Sequence, residues 1–392
     1  MDDAAPLSLG HVQVPGRRLR VALVTGSYNY IQDGVALTLN RMVGFLESRG
    51  VEVLIFAPVG PRPAFAHAGE VVPVPSVAAP GRGEYRAALG LPRAPRERLV
   101  AFRPDILHIA TPDLLGHAAQ RLGRRMGWPV VASYHTRFET YLKYYGLAFL
   151  TPGLAGLVRG FYNRCREIYA PSESMIDVLR AEGVKAPIRL WPRGVDTDRF
   201  RPAARSQAWR AARGVGADDV VIAFISRLVK EKRVSEVAQV LARLRATGIA
   251  HRALFVGDGP ERAFLEREAP GALFEGFLSG DDLATAYASA DVFLFPSDTE
   301  TFGNVTLEAM ASGLPTVCAN ATGSRSLVEA GVTGYLAEVG DTDSLYAAVE
   351  ALAVDPERRR AMGAAARARS LQFSWDEAMG GLLARYEALA GA

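Results

Sequence analysis

One segment in the second half of the chain decides the fold. Residues 299–313 read TETFGNVTLEAMASG and closely follow the apolar run at 292–296. A short apolar run bounded by turn residues is typical of a buried strand, and the Gly-Leu-Pro sequence at 313–315 is a helix stop signal. The segment therefore predicts a strand, then a loop that contains Glu300, then a short helix that contains Glu308.

The spacing of these two glutamates indicates what they bind. Over eight positions a fully helical spacer would separate them by ~12 Å, at ~1.5 Å per residue. At that distance the two carboxyl groups cannot share a proton, but they can contact the two ends of one ligand. The free amides of a helix N-terminus between them attract phosphate. Hydroxyl-binding acids on both sides of an anion site fit a nucleotide sugar.

The rest of the chain alternates apolar strands with helical stretches, which predicts two parallel α/β domains. The predicted strands are 19–24, 51–56, 105–109, 129–133, 167–170, 188–190, 220–225, 253–256, 292–295 and 316–318. The predicted helices include 35–48 and 234–246, and residues 58–82 are expected to hold at most one short strand. A Gly- and Pro-containing linker is expected at 191–202, and a capping-box pattern opens a final helix at Ser374.

Composition narrows the class of protein. The 392 residues suffice for two domains, and Cys165 and Cys318 lie in apolar surroundings that favour buried, reduced thiols. No apolar run of 18 residues and no signal-peptide pattern occurs, so a cytoplasmic location is expected. The net charge of +3 divides into +8 for residues 1–200 and −5 for the remainder. The basic half favours an anionic acceptor or membrane surface, with a solvated Arg-rich surface as the alternative. Nothing supports nucleic-acid binding.

A basic loop follows the predicted strand 220–225. Arg227 and Lys232 stand five positions apart there. Two such cations would neutralise a diphosphate leaving group, Arg as a fork and Lys as a point charge. Taken alone, the loop is equally compatible with a solvated surface.

The first domain contributes a second set of candidates. His135 follows the predicted strand 129–133, where an imidazole can donate a hydrogen bond to a sugar hydroxyl or carry a proton; a structural histidine is the alternative. Tyr141 and Lys143 lie in a mixed basic and aromatic stretch that suits a carbohydrate or membrane interface, or a packed amphipathic helix. Gly34 would allow close backbone approach to a ligand. Asp33 is unfavourable beside a diphosphate and is predicted to face acceptor hydroxyls.

Glu300, the seven-residue spacing to Glu308 and the sequence AMASGLP at 309–315 resemble the retaining glycosyltransferases of family 4. The resemblance runs from about Arg20 to the C-terminus. It implies the GT-B fold, two Rossmann-like α/β domains with a deep interdomain cleft and a C-terminal helix that crosses back to the N-terminal domain. The expected divisions are an acceptor-binding domain at 17–198, a nucleotide-sugar-binding domain at 199–372 and the crossing helix at 373–392.

The resemblance also implies roles for individual residues. Arg227 and Lys232 would hold the donor diphosphate, Glu308 the ribose, and Glu300 and His135 the donor sugar. The remaining implied donor contacts are Gly34, the amides of Phe302, Gly303 and Asn304, and Phe277 in the base pocket, where a core position is equally compatible. This chain departs from the family pattern at Ser226 and Arg233, where Gly is common, and at Asp33, where the family has a second Gly.

The activity implied is transfer of a hexose from a nucleoside-diphosphate sugar to an acceptor hydroxyl with retained anomeric configuration. No metal and no cofactor beyond the nucleotide sugar is expected: the Asp-Thr-Asp triplets at 196–198 and 341–343 lie in the linker and in a turn. The segments SYHT at 133–136, YLKYY at 141–145 and WPRGVD at 191–196 resemble the glycolipid-forming glucosyl-, sulfoquinovosyl- and GDP-mannose-dependent mannosyltransferase branch. They favour a lipid acceptor, with the enzyme peripheral at the inner face of the membrane.

Other readings remain open at this stage. A transferase with a soluble sugar acceptor, a nucleotide-sugar epimerase or isomerase, and a non-catalytic nucleotide-sugar binder would all use part of this residue set. The motifs do not distinguish the base or the hexose of the donor.

Overall fold

The computed structural model describes residues 18–79, 82–137, 149 and 151–391. Its strands are β1 Arg20–Val24, β2 Glu52–Ala57, β3 Glu70–Pro73, β4 Ser76–Ala79, β5 Arg82–Ala88, β6 Ile106–Ile109, β7 Val130–Ser133, β8 Glu167–Ala170, β9 Ile188–Leu190, β10 Val221–Ile225, β11 Arg252–Val256, β12 Leu273–Phe274, β13 Val292–Phe295, β14 Thr316–Ala319 and β15 Gly334–Ala337. Most of these strands are apolar and buried on both faces, as expected for parallel sheets covered by helices.

The strands form two parallel sheets. The first has seven strands in the order β3-β2-β1-β6-β7-β8-β9, and the second has six in the order β12-β11-β10-β13-β14-β15. In both sheets the order reverses direction at one central strand, β1 in the first and β10 in the second. Ligands bind at such points, outside the carboxyl ends of the strands. β4 and β5 form a separate antiparallel pair on the first domain.

The helices of the described chain cover the sheets. They are α1 Gly34–Ser48, α2 Arg93–Phe102, α3 Leu114–Met126, α4 Thr151–Tyr162, α5 Glu173–Ala181, α6 Gln207–Ala211, α7 Val234–Ala246, α8 Arg262–Glu268, α9 Gly280–Ala288, α10 Asn304–Ala311, α11 Thr322–Leu327, α12 Thr342–Val354, α13 Pro356–Ser370 and α14 Trp375–Ala390. Short 3-10 segments occur at Pro202–Ala204 and Lys230–Lys232.

The predicted two-domain α/β fold is confirmed, with differences at the sheet edges. Residues 58–82 hold β3 and β4 rather than at most one strand, while β12 and β15 were not predicted. These strands are short and partly exposed, so they lack the continuous apolar run that marks a central strand. Helix α7 occupies the predicted residues, and α1 begins one residue earlier than predicted.

The C-terminal helix α14 crosses back onto the first domain, as expected. Its buried residues Met379, Leu382 and Tyr386 belong to the same apolar cluster as residues of β1, β2 and α1. Gly194 of the linker lies against the start of α14: a Cβ atom there would stand 2.3 Å from the backbone nitrogen of Trp375. The close approach therefore requires glycine, and it joins the linker to the crossing helix.

Cys165 and Cys318 are buried free thiols, as predicted. None of the helices in the described part of the chain has the length and apolar character needed to cross a membrane. Among the same residues, no group of three or more His, Cys, Asp or Glu side chains is arranged to hold a metal ion.

Candidate active site

The candidate site lies in the cleft between the two domains. The loops after β10 and β13 supply its second-domain wall, and the loops after β1 and β7 supply its first-domain wall. Direct contacts join the walls: the hydroxyl of Thr301 donates to the backbone oxygen of His135 at 2.8 Å, and Ser172 donates to the backbone oxygen of Thr301 at 2.8 Å. The predicted residues of the two domains therefore meet at one place.

Lys232 and Glu300 form an ion pair at the centre of the second-domain wall. Both are largely buried, and Ser297 also donates to the Glu300 carboxylate at 3.3 Å. An ammonium group has three N–H donors, and the pair with Glu300 uses one of them. Lys232 is therefore held in position by a fixed counter-charge while retaining donors for a phosphate oxygen.

The backbone of Glu300 is anchored by the start of α11. Its carbonyl oxygen accepts from the Thr322 hydroxyl at 2.5 Å and from the Gly323 amide at 2.9 Å. A Cβ atom on Gly323 would stand 2.7 Å from the Glu300 Cβ and 2.8 Å from the Phe302 carbonyl oxygen. Glycine at 323 lets this loop lie directly on α11.

The N-terminus of α10 faces the first domain. Gly303 precedes the helix with φ of 95°, a left-handed conformation that favours glycine, and no side chain caps the first turn. A Cβ atom on Gly34 would lie 3.5 Å from Asn304 Nδ2, which places α1 and α10 end to end across the cleft. The buried side-chain oxygen of Asn304 has no hydrogen-bond partner among the described residues. The backbone N–H groups of the first turn of α10 have no side-chain cap, and such free donors suit an anionic group.

Glu308 lies on α10 and is paired with a buried tyrosine. The hydroxyl of Tyr287, on α9, donates to Glu308 Oε2 at 3.0 Å. Burial raises the pKa of Glu308 to about 7, and the Tyr287 hydrogen bond opposes that rise. The carboxyl group is therefore oriented by one fixed donor and titrates near neutrality.

Arg227 and Asp33 face each other from opposite walls. Arg227 Nη2 lies 3.8 Å from Glu231 Oε1, and 42% of the Arg227 side chain is exposed. Asp33 caps α1 through the Ala36 amide at 2.8 Å. Burial raises the pKa of Asp33, and the Ala36 hydrogen bond and the charge of Arg227 oppose that rise. Asp33 is thus a structural cap, and its contact with acceptor hydroxyls stays a prediction.

His135 is held by internal partners on both ring nitrogens. Arg193 Nη2 lies 3.2 Å from Nδ1, and Ser133 Oγ lies 2.8 Å from Nε2. Burial lowers the pKa of His135 well below its usual value, and Arg193 and His108 lower it further. The ring is neutral, and its catalytic part remains a prediction.

The other predicted residues are distributed as follows. Phe302 is buried and makes an edge contact with Phe373, so its ring packs in the interior of the domain. Phe277 is 66% exposed and therefore is not a core residue. Tyr141 and Lys143 lie outside the described residues. In the two Asp-Thr-Asp triplets, Asp196 pairs with Arg199, and Asp341 caps α12.

Arg233 stands where the resemblance leads to the expectation of glycine. It adopts φ of 56°, a left-handed conformation that glycine adopts more readily. Its guanidinium pairs with Glu236 and lies 3.7 Å from Asp298 in the Glu300 loop. These ion pairs offset the backbone strain and join the two loops of the second-domain wall.

Sequence reasoning missed several residues of this site. They are Tyr287, Ser297, Thr322, Gly323 and Arg193. Two of them carried a visible signal: Ser297 follows the apolar run at 292–296, and Arg193 lies in the segment WPRGVD at 191–196. The others contact the site from segments remote in sequence.

Comparison with known proteins identifies the family. The family model Glycosyltransferase Family 4 matches residues 32–199, and the model Glycosyl transferases group 1 matches residues 205–369. The chain is 34% identical to a GDP-mannose-dependent alpha-mannosyltransferase of Corynebacterium glutamicum, over 94% of this chain and 89% of that protein. It is 30% identical to a sulfoquinovosyl transferase of Arabidopsis thaliana, over 92% and 71% of the two chains.

Solved structures share the fold. Sucrose-phosphate synthase from Thermosynechococcus elongatus superposes with a TM-score of 0.78 at 20% identity, covering 95% of this chain and 99% of the other. HepE from Anabaena, in complex with UDP and glucose, gives a TM-score of 0.71 at 19% identity, with 95% and 100% covered. The chain belongs to glycosyltransferase family 4 and is a retaining glycosyltransferase of the GT-B fold. Its co-substrates are a nucleotide sugar and a lipid or sugar acceptor.

Proposed function

We propose that this enzyme transfers a mannosyl group from GDP-mannose to a hydroxyl of a membrane lipid, with retention at the anomeric carbon. The observation that carries the proposal is the convergence of Lys232, Arg227 and the uncapped α10 N-terminus between Glu300 and Glu308. Cations and amides suit the diphosphate, and the two acids suit the hydroxyl groups at its ends.

The site residues divide the chemistry as follows. The bond between C1 of the hexose and the diphosphate oxygen breaks, and a bond from C1 to the acceptor oxygen forms on the same face. The acceptor proton passes to the departing phosphate oxygen. Lys232, Arg227 and the amides at 303 and 304 stabilise the negative charge that grows on the diphosphate. Glu308 orients the ribose and Glu300 the hexose.

The choice of GDP-mannose rests on the relatives. Three GDP-mannose-dependent alpha-mannosyltransferases, from Corynebacterium glutamicum, Mycobacterium tuberculosis and Mycolicibacterium smegmatis, are 34–36% identical over at least 94% of this chain. A glucosyl donor is the second candidate, because an alpha-monoglucosyldiacylglycerol synthase of Streptococcus pneumoniae is 28% identical over 86% of the chain.

The donor is tested by incubating the enzyme with GDP-mannose, UDP-glucose or ADP-glucose, with and without vesicles that contain diacylglycerol. We expect a lipid-linked hexose with GDP-mannose only, and NMR of the product should show the donor's anomeric configuration. Product with UDP-glucose alone would overturn the mannosyl assignment. An isomerised nucleotide sugar in the absence of lipid would identify an isomerase instead.

The lipid acceptor is supported by the surface of the first domain. Residues 1–200 carry a net charge of +8. Phe149 is 75% exposed, and Leu157 on α4 is 55% exposed near Arg159. Exposed apolar side chains beside basic ones suit an anionic bilayer surface.

Flotation with phosphatidylglycerol vesicles tests this surface. Leu157→Asp should weaken salt-sensitive flotation by about tenfold, since a charge replaces an inserted apolar group. Leu371→Asp is the matched control, because Leu371 is also 55% exposed but lies on the acidic second domain. Equal flotation of the wild type and both variants would contradict membrane docking through α4.

A further inference from the structure

A continuous chain of buried hydrogen bonds runs from the C-terminal helix to the cleft. Arg193 Nη2 contacts His135 Nδ1, and His135 Nε2 contacts Ser133 Oγ. Ser133 Oγ in turn lies 2.7 Å from His108 Nε2, and His108 Nδ1 contacts the hydroxyl of Tyr386. The chain joins the linker, the loop after β7, the central strand β6 and α14.

The Arg193 guanidinium sets the direction of the hydrogen bonds at His135. A guanidinium can only donate, so His135 Nδ1 accepts and Nε2 carries the hydrogen. Ser133 therefore accepts from His135, and when its own proton goes to His108 Nε2 every link of the chain has one donor and one acceptor. His108 then donates through Nδ1 to Tyr386, whose hydroxyl donates to the thioether of Met42 at 3.8 Å.

The inner part of the chain is buried, and its imidazoles are neutral. His108, Ser133 and Tyr386 are each at most 1% exposed. Burial lowers the pKa of His108 to about 3, and Arg193 lowers it further. A buried polar chain in which each link is satisfied holds its members in one arrangement, because breaking any link leaves a polar group unpaired.

We infer that Tyr386, His108 and Ser133 are positioning residues for His135, through which the docked C-terminal helix fixes the orientation of the imidazole at the cleft. The inference rests on the proposed function only in placing His135 beside the donor hexose. The backbone oxygen of His135 accepts from Thr301, next to Glu300, so rotation of this loop changes the sugar end of the site. The diphosphate and ribose contacts belong to the other domain and are unaffected.

Histidine 15N spectra of the full-length enzyme test the chain without any donor. The protein has only six histidines, which makes assignment by single substitution practical. We expect His135 as the Nε2–H tautomer and His108 as the Nδ1–H tautomer. In Tyr386→Phe, His108 loses its acceptor, its proton moves to Nε2, and two ring N–H groups compete for Ser133 Oγ. The His135 signal should then shift, although Tyr386 does not touch His135.

Steady-state kinetics supply the second measurement. Tyr386→Phe and Ser133→Ala should each lower kcat by about tenfold, as expected for one lost buried hydrogen bond, while the donor KM changes by less than about twofold. Tyr346→Phe is the matched control, since the Tyr346 hydroxyl donates to Glu350 in the second domain, away from this chain. It should leave kcat and the histidine signals unchanged.

The two measurements separate the possible failures. An unchanged His135 signal in both Tyr386→Phe and Ser133→Ala overturns the inference, whatever the activity. A wild-type enzyme that transfers no sugar refutes the proposed function, whereas the spectra still decide whether the chain exists. Ser133→Ala retains α14 untouched, so it remains informative if Tyr386→Phe folds poorly.

Discussion

The two walls of the cleft hold their functional groups by different means. The second-domain wall uses opposite charges: Lys232 with Glu300, and Arg227 with Glu231. The first-domain wall holds His135 through a hydrogen-bond chain that includes the uncharged Ser133 and His108. The cations of this wall can stabilise the negative charge that develops on a departing diphosphate. Neutral groups with fixed protons suit the uncharged hydroxyls of a sugar, where position matters more than charge.

The largest loss of activity is expected from a substitution in the second-domain wall, which is called the charged wall below. Lys232→Ala should lower kcat by about 10²–10³, comparable to the loss of one oxyanion donor. The matched control is Lys230→Ala, because Lys230 is an exposed cation in the same 3-10 segment. Single-turnover rates with a saturating donor measure the difference. Full activity of Lys232→Ala would mean that the charged wall does not act on the diphosphate.

The next largest effect is expected where α11 supports the Glu300 loop. Gly323→Ala places a methyl group against Glu300 and Phe302, and overpacking of this kind costs about 1–3 kcal/mol. We expect a lower melting temperature and a kcat/KM reduced by about tenfold. Gly380→Ala in α14 is the control, because nothing lies within 4 Å of its added methyl group, and it should be neutral or stabilising. An unaltered kcat/KM in Gly323→Ala would show that the loop adapts.

The titration of Glu308 predicts a smaller, pH-dependent effect. The pKa of this carboxyl group is raised to about 7, and ribose hydroxyls need the ionised form as acceptor. The donor KM should therefore fall as pH rises from about 6 to 8. In Tyr287→Phe the hydrogen bond that opposes the rise in the Glu308 pKa is lost. The pH range over which the donor KM falls should therefore move to higher pH. An identical KM profile in the variant would remove Tyr287 from the site.

The sign for stability is the reverse of that for donor binding. Because the folded-state pKa of Glu308 lies above its unfolded value, the folded protein binds the extra proton between about pH 4.5 and 7. The contribution of Glu308 to stability is full below that window and is lost as pH rises through it. Melting temperature measured with and without the Glu308→Gln change isolates this contribution.

The smallest effect on stability and activity is expected from substitution of Asp33, on the first-domain wall. Loss of an N-cap costs about 1 kcal/mol, so Asp33→Ala should be modestly destabilised. Asp355→Ala, which removes the N-cap of α13 far from the cleft, should be destabilised equally. Only Asp33→Ala should also raise the acceptor KM. Equal acceptor KM values in the two variants would leave Asp33 as a cap and nothing more.

Sequence reasoning succeeded where a group and its partners are close in the chain. The strand before Glu300, the helix that contains Glu308 and the loop of Arg227 and Lys232 all follow from runs of a few residues, because strand and helix patterns are local. The bond between Tyr287 and Glu308 spans 21 residues, and that between His108 and Tyr386 spans 278. No local pattern indicates either contact.

The amino-acid sequence by itself determined two Rossmann-like domains, the family and the charged half of the cleft, since each depends on short-range periodicity and motif spacing. Tertiary structure alone decided that His135 is neutral and satisfied on both nitrogens and that α14 reaches the site through β6. These features arise where the carboxyl ends of distant strands meet, and packing rather than chain order brings their side chains into contact.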